Sequence, residues 1–226
     1  MARISVNEIE GEIAAIVDQD ESTTNISSTD YSLRLKYINL ALKEWQETYP
    51  WQSLYAEYNM VVSTSTGNAS IVLPSDFRKL AGPPVITWMS ATTDVFPESR
   101  PQEADSYDAS FKRISILGNP QDQYILRVYG VTLVSGASVN VPYFSSVQSL
   151  VSPANIAEIP NPDYLVKRSV AYLWEAREDP RFPMMKQEAE RILRNMIEYE
   201  NVFGYGADYD RVKTVEQTKH NFHWGE

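Results

Sequence analysis

The chain has 226 residues, of which 43% are hydrophobic and 22% charged, as in a globular protein that buries a core of its own. It contains no cysteine, which excludes disulfides, thiol catalysis and cysteine-based zinc sites. The net charge of −10 comes without a basic stripe, which argues against a protein that grips nucleic-acid phosphates.

Two helices are predicted in the first quarter. Ser5 and Glu8 form a capping box, in which each side chain covers the other's unpaired backbone N–H. The apolar face that follows is Ile9, Ile13, Ile16 and Val17. After a polar stretch, a second helix is predicted to start at Thr29 or Asp30 and to end before Pro50. Its buried stripe is Leu35, Ile38, Leu42 and Trp45.

The first quarter is also the most acidic part of the chain. Residues 1–57 contain four Lys/Arg and ten Asp/Glu, a net charge of −6. One interpretation is a solvated helical surface. The other is a negatively charged channel wall that repels a polyanion, so that DNA moves past it without binding.

From Leu54 the pattern becomes that of strands, and a small antiparallel sheet or barrel is predicted. Tyr58, Met60 and Val62 point to one face, and a turn at 66–68 is expected to return the chain as a partner strand over 69–73. A single helical turn is expected at 74–77. Further strands are predicted at Val85–Met89, Arg113–Leu117, Tyr124–Val134 and Val139–Phe144.

Two more helices are predicted near the end. Asn161 caps the first, with Pro162 at the first helical position, and Asp179-Pro180 ends it. Their apolar faces are Leu165, Val166, Val170, Leu173 and Trp174, then Met185, Ala189, Ile192, Leu193 and Met196.

The expected architecture is therefore α+β. Residues 1–53 and 160–202 form a helical bundle of two N-terminal and two C-terminal helices, with one core centred on Leu42, Trp45, Leu173, Trp174 and Leu193. Residues 54–159 form an inserted antiparallel β lobe, and residues 203–226 an extended C-terminal arm.

No set of residues indicates catalysis, a cofactor or a metal site, and the protein is not expected to be an enzyme. His220 and His223 lie in the arm without accompanying carboxylate ligands. The acidic loop with Glu98, Glu103, Asp105 and Asp108 leaves a glycosidase open, because such enzymes use two carboxylates. The first residues lack the apolar segment of a secretory signal, and no apolar run approaches the length that spans a bilayer. We expect the protein to be synthesised and to act in a cytosol-like solution, and not in a membrane.

Four motifs, in order, resemble the head-to-tail adaptor (connector) proteins of tailed bacteriophages. They are Asn39-x-Ala41-Leu42-x-Glu44-Trp45 with Trp51, Leu73-Pro74-x-Asp76-Phe77, Val141-Pro142-Tyr143-Phe144, and Ile159-Pro160-Asn161-Pro162-Asp163-Tyr164. The resemblance spans residues 5–200.

The resemblance implies a helical bundle with an inserted β domain and a twelve-fold homo-oligomeric ring in the neck of the virion, made in the host cytoplasm. Such a ring docks on the portal protein, extends the channel through which genomic DNA is ejected, and offers a platform to the next neck or tail protein. DNA would pass without sequence-specific binding. The loop residues Glu98, Arg100, Glu103, Asp105 and Tyr107 are expected to face that downstream partner.

The aromatic residues of the arm are the predicted portal-binding set. Exposed rings are costly, so Phe203, Tyr205, Tyr209, Phe222 and Trp224 are expected to pack either on the chain's own surface or in a groove of a portal subunit. The second resembles the behaviour of adaptor C-termini. Other readings are a tail-completion or terminator protein, a carbohydrate-binding or glycoside-hydrolysing virion protein, and an unrelated α+β protein.

Overall fold

The computed structural model describes residues 2–17, 28–63, 66–67, 70–90, 92–99, 112–119 and 123–203. These residues form an α+β structure whose strands pair antiparallel. The chain divides into two compact units: unit 1 comprises Met1–Ser53 and Val147–Glu226, and unit 2 comprises Leu54–Ser146.

The described residues contain four α-helices and twelve short strands. The helices are α1 (Val6–Val17), α2 (Ser28–Thr48), α3 (Asp163–Ala176) and α4 (Phe182–Phe203), and a 3-10 turn spans Gln52–Leu54. The strands are β1 (Ala2–Ser5), β2 (Tyr55–Val61), β3 (Thr66–Gly67), β4 (Ser70–Val72), β5 (Phe77–Leu80), β6 (Val85–Thr87), β7 (Thr93–Val95), β8 (Arg113–Asn119), β9 (Gln123–Tyr129), β10 (Thr132–Leu133), β11 (Ser138–Ser145) and β12 (Ile156–Ile159).

The capping box that opens α1 is confirmed. The Ser5 N–H donates to the Glu8 carboxylate at 2.8 Å, and the Glu8 N–H donates to the Ser5 hydroxyl at 3.3 Å. Hydrogen bonding by Ser5 lowers the pKa of Glu8, because the backbone and hydroxyl donors stabilise its charged form. The helix that follows buries Ile9 and Ile13 completely.

Helix α3 occupies the centre of unit 1, packing against α1, α2 and α4. Its predicted apolar face is fully buried, as are Leu42 and Trp45 of α2. Leu193 of α4 is only half-buried, because the inward face of α4 follows Met185, Ala189, Ile192 and Met196, and Leu193 lies one step to the side. Four of the five residues predicted at the centre of the core are therefore buried, and Leu193 is the exception.

The start of α3 differs from the prediction in one detail. Pro162 is the N-cap residue rather than the first helical residue, and the Asn161 side chain accepts a hydrogen bond from the Asp163 N–H at 3.1 Å. The helix ends at Ala176, ahead of Asp179 and Pro180 as predicted.

The segment 147–159, predicted to belong to the β lobe, is part of unit 1. Asn39 of α2 binds the backbone of Leu150 twice, donating to its carbonyl at 2.8 Å and accepting from its N–H at 2.7 Å. Strand β12 then pairs with β1, with Ala2 opposite Ile159. This pairing was not predicted, because neither short strand has a distinctive alternating pattern.

Unit 2 consists mainly of two antiparallel sheets. In the first, β11 pairs with β2 along one edge and with β5 and β6 along the other, and β6 pairs with β7. The second has the order β4-β9-β8. Within the described residues both sheets are open, so a closed barrel is excluded there. Side chains from both sheets share one hydrophobic core, which includes Ile71, Phe77, Ile114, Leu126, Val139 and Val141.

Two expectations for the strands are wrong. Strand β4 pairs with β9 rather than returning along β2, and the turn region contributes β3, which pairs with β10. The long strand expected over 124–134 is split into β9 and β10 at Gly130, whose φ of 75° interrupts the extended backbone.

The segment 74–77 forms a turn in which the Phe77 N–H donates to the Pro74 carbonyl at 3.0 Å, and Phe77 itself begins β5.

Candidate interaction surfaces

The motif residues on α2 are structural anchors of unit 1. Trp45 and Trp51 are fully buried and stacked, with ring centroids 5.0 Å apart, and the Trp51 indole donates to the Trp45 carbonyl at 2.7 Å. Glu44, the motif residue directly before Trp45, accepts two hydrogen bonds from the guanidinium group of Arg168 on α3, at 2.7 and 2.9 Å. Such a two-point ion pair fixes the position of α3 against α2.

The motif residues of unit 2 also contact one another. Leu73 and Phe77 are buried, and Phe77 stacks on Tyr143 with centroids 5.7 Å apart. The Tyr143 hydroxyl donates to Asp76 at 3.1 Å. Burial and the nearby charge of Asp76 raise the pKa of Tyr143. The second and third motifs therefore form one packed cluster, although they lie far apart in the sequence.

A buried charge pair joins α1 to α2. Glu10 is 3% exposed and Arg34 4% exposed, and their nearest charged atoms are 3.7 Å apart. Burial raises the pKa of Glu10 to about 7, and the positive charge of Arg34 offsets part of that rise. The Tyr31 hydroxyl is buried nearby, and burial together with the charge of Glu10 raises its pKa.

A cleft of about 430 Å³ lies in unit 1 along the last turns of α4. Ile192 and Met196 give it an apolar floor, and Tyr199 stands at its rim, 63% exposed. The remaining lining residues are Pro160 and the polar residues Ser53, Asn161, Asn195 and Glu200. A cleft with an apolar floor and polar walls suits a ligand that has both an apolar body and hydrogen-bonding groups.

Unit 2 exposes several large apolar side chains on its strands and turns. Met89 is 78% exposed, Val61 67% and Val95 58%. Single exposed apolar residues are common on protein surfaces, but exposed apolar side chains on sheets also occur in protein–protein interfaces.

The predicted portal-binding residues lie largely beyond the described part of the chain. Phe203 is the last residue of α4. Tyr205, Tyr209, Phe222 and Trp224 fall outside the described residues. The structure therefore places the start of this set at the end of α4, close in sequence to the residues that line the cleft.

The predicted tail-facing loop is described only at its first residue. Glu98 is exposed, and its backbone forms an isolated bridge with Ile114 of β8. Arg100, Glu103, Asp105 and Tyr107 lie outside the described residues. Within the described part, Glu98 is not accompanied by a carboxylate of the same predicted set.

Sequence reasoning missed the buried pair and the cleft. A signal for the pair was present: Glu10 lies three residues before Ile13, and Arg34 lies four residues before Ile38, so each shares the buried face of its helix. A charged residue inside an apolar stripe on each of two consecutive helices favours a buried pair. The cleft had no such signal, since its walls come from three separate stretches of the chain.

No protein-family model matches the chain, and no curated protein sequence matches it significantly. The likeness to phage adaptors is therefore carried by the motifs alone. In the part of the chain that the structure describes, none of the helices is long and apolar enough to cross a bilayer.

Proposed function

We propose that the chain is a structural virion protein, a head-to-tail adaptor that assembles into a twelve-fold ring in the neck of a tailed bacteriophage. The ring docks on the portal protein, extends the DNA channel and holds the next neck or tail protein. It works by binding rather than by catalysis.

The observation that carries the proposal is the role of the motif residues. Asn39 and Glu44 bind segments more than a hundred residues later in the chain. Trp45 stacks on the nearby Trp51. Residues with such roles are those that a shared fold requires, so the first of the motifs that suggested the family also helps to build the helical unit.

The acidic first quarter supports a wall along which DNA slides. One of its ten carboxylates, Glu10, is buried against one of its four basic residues, Arg34. The acidic side chains of Glu8, Glu12 and Glu47 are exposed. An acidic surface repels phosphates at short range, which lowers friction for passing DNA.

The two partner-binding regions of the proposal are the C-terminal arm and unit 2. The aromatic residues of the arm, from Phe203 to Trp224, would enter a groove on the portal, where buried aromatic anchors contribute most of the affinity. Unit 2, through the loop that begins at Glu98, would contact the downstream neck or tail protein.

Light scattering tests the assembly. We expect the free ring to have a mass of about 308 kDa, twelve times 25.7 kDa. If the ring forms only on portal, the same mass should be added to that of portal. A chain that stays at 25.7 kDa with and without portal would refute the ring.

Truncation tests the arm. Removing residues 203–226 is expected to leave a folded, soluble protein that no longer binds portal. The double variant Phe222→Ala/Trp224→Ala should weaken binding similarly, and the control Thr214→Ala/Thr218→Ala in the same segment should not. Normal docking of the truncated chain would rule out the arm as the anchor.

A further inference from the structure

Among the described residues, the cleft along α4 contains one buried polar group without a hydrogen-bond partner and one carboxylate with a single long hydrogen bond. Glu200 is 8% exposed, and within the described part its carboxylate accepts a single long hydrogen bond, from the Gln52 N–H at 3.4 Å. The Ser53 hydroxyl is buried and has no hydrogen-bond partner there. Leaving such groups unpaired is costly, so they are best satisfied by a ligand that donates hydrogen bonds or carries positive charge.

The floor of the cleft adds a second requirement. Ile192 and Met196 present apolar surface between the polar walls, and the exposed ring of Tyr199 borders it. The ligand that fits is therefore a peptide segment that has an aromatic side chain next to cationic or donor groups.

We propose that this cleft is the docking site for the C-terminal segment of the same chain, centred on residues 219–224. That segment reads Lys219-His220-Asn221-Phe222-His223-Trp224 and contains two large rings, a lysine and several donors, but no carboxylate. Its charge is complementary to the buried carboxylate of Glu200. The other aromatic residues after Phe203 are Tyr205, which lies between two glycines, and Tyr209, which lies between Asp208 and Asp210.

The position of the cleft allows the chain to reach it. The chain leaves α4 after Phe203, and Ile192, the cleft residue farthest from that end of the helix, lies about 16 Å back along the helix axis. The nineteen residues from Gly204 to Phe222 can span up to about 60 Å when extended. Gly204 and Gly206 accept the backbone angles that a reversal immediately after a helix demands.

The proposal concerns the unassembled chain and does not depend on the adaptor function. It gives the rings of the C-terminal segment an apolar environment before any partner is present. If the adaptor function also holds, cleft and portal compete for the same segment, and docking requires its release.

Disulfide trapping in the full-length chain provides the test, since the native sequence has no cysteine. The pair Asn195→Cys/His223→Cys places one thiol in the cleft and one in the segment. The matched control Arg194→Cys/His223→Cys moves the first thiol by one residue, about 100° around α4, to a position that does not line the cleft. In dilute protein we expect the cleft pair to form an intrachain disulfide at least about tenfold faster than the control, because docking raises the effective concentration of the two thiols.

Other results would overturn the proposal in distinguishable ways. Equal rates for the two pairs would show that the segment does not favour the cleft. Disulfide-linked dimers in place of intrachain products would assign the cleft to the segment of a second copy. Neither result bears on ring mass or portal binding, so the adaptor function would remain to be judged by its own experiments.

Glu200→Gln tests the role of the charge, since the amide oxygen can still accept from the Gln52 N–H. In the cleft-pair background it should slow trapping about tenfold, the loss expected for one charge-assisted hydrogen bond. Glu198→Gln, an exposed change two residues away, should leave the rate unaltered. An unchanged rate in Glu200→Gln would overturn the assignment of Glu200 as the anchor.

Discussion

Replacing Trp45 with alanine is the most direct test of the helical core. Trp45 is fully buried in α2, and its ring stacks on Trp51 at a centroid distance of 5.0 Å and an interplanar angle of 19°. The substitution removes the ring but keeps the Trp45 carbonyl, so the hydrogen bond from the Trp51 indole can persist. The loss therefore reports packing rather than hydrogen bonding.

The expected cost is about 3–5 kcal/mol, the range for a large aromatic residue truncated in a packed core. Lost stacking on Trp51 accounts for about 1 kcal/mol of it. For a chain of this size the loss corresponds to a fall in melting temperature of roughly 6–20 °C. The control Leu40→Ala, on the same helix but 42% exposed, should cost less than about 1 kcal/mol.

The assay is denaturant unfolding followed by helical circular dichroism, which reports unit 1 because the four described helices all belong to it. Measurements belong at concentrations where the protein is monomeric, since assembly would add stability of its own. A tryptophan that served only as a ring interface would show the opposite pattern: an unchanged midpoint in the monomer and a loss of assembly. An unchanged midpoint would refute the core assignment.

Two further predictions concern charge and the β unit. Burial raises the pKa of Glu10 from 4.5 to about 7, so this group favours folding most below pH 4.5, and its contribution falls as the pH rises to about 7. The difference in unfolding free energy between Glu10→Gln and wild type should therefore rise by about 3 kcal/mol, in favour of the variant, from pH 4.5 to pH 8. The exposed control Glu12→Gln should show the same pH dependence as wild type. Parallel pH profiles for all three proteins would contradict the buried charge. Deleting part of the loop 97–110 should spare portal docking and prevent attachment of the downstream protein in a virion-assembly assay. Loss of portal docking instead would reverse the proposed roles of unit 2 and the arm.

The helices were predictable because their signals are local. The capping box at Ser5 and Glu8 and the proline after Asp179 act within a few residues, and each apolar stripe repeats at the helical period. In unit 2, the positions of β2, β4, β6, β8, β9 and β11 were also predictable, whereas β5 and β7 were not predicted. These features depend on neighbours in sequence, which a single chain displays in full.

Strand partners were not predictable, because pairing is decided by contacts between distant residues. The alternation around Ile71 shows which face of β4 is buried, but not that Ile71 lies opposite Leu126 of β9. The expected hairpin partner would have buried the same face. The cleft was hidden for the same reason, since Ser53, Asn161 and Glu200 meet only after the unit has folded.

The way unit 2 is inserted explains how one helical core can form from two distant segments. Closing a flexible loop the length of residues 54–146 would cost several kcal/mol of entropy. Unit 2 avoids most of that cost because its first and last strands pair directly, with Tyr55 opposite Phe144, and the Ser145 hydroxyl donates to the Leu54 carbonyl at 3.1 Å. Its two ends therefore lie about one strand spacing apart.

The helical unit captures the chain as soon as it leaves the insertion. The Gln46 side chain accepts from the Val147 N–H at 2.8 Å, and Asn39, one of the motif residues, binds both backbone groups of Leu150. Both side chains lie on α2, and neither belongs to its apolar stripe. Polar residues on a helix are ordinarily assigned to a solvated surface, but here they hold the returning chain in place so that α3 can pack against α2. In a protein with an inserted domain, polar motif residues can thus be as much a part of the fold as the buried tryptophans.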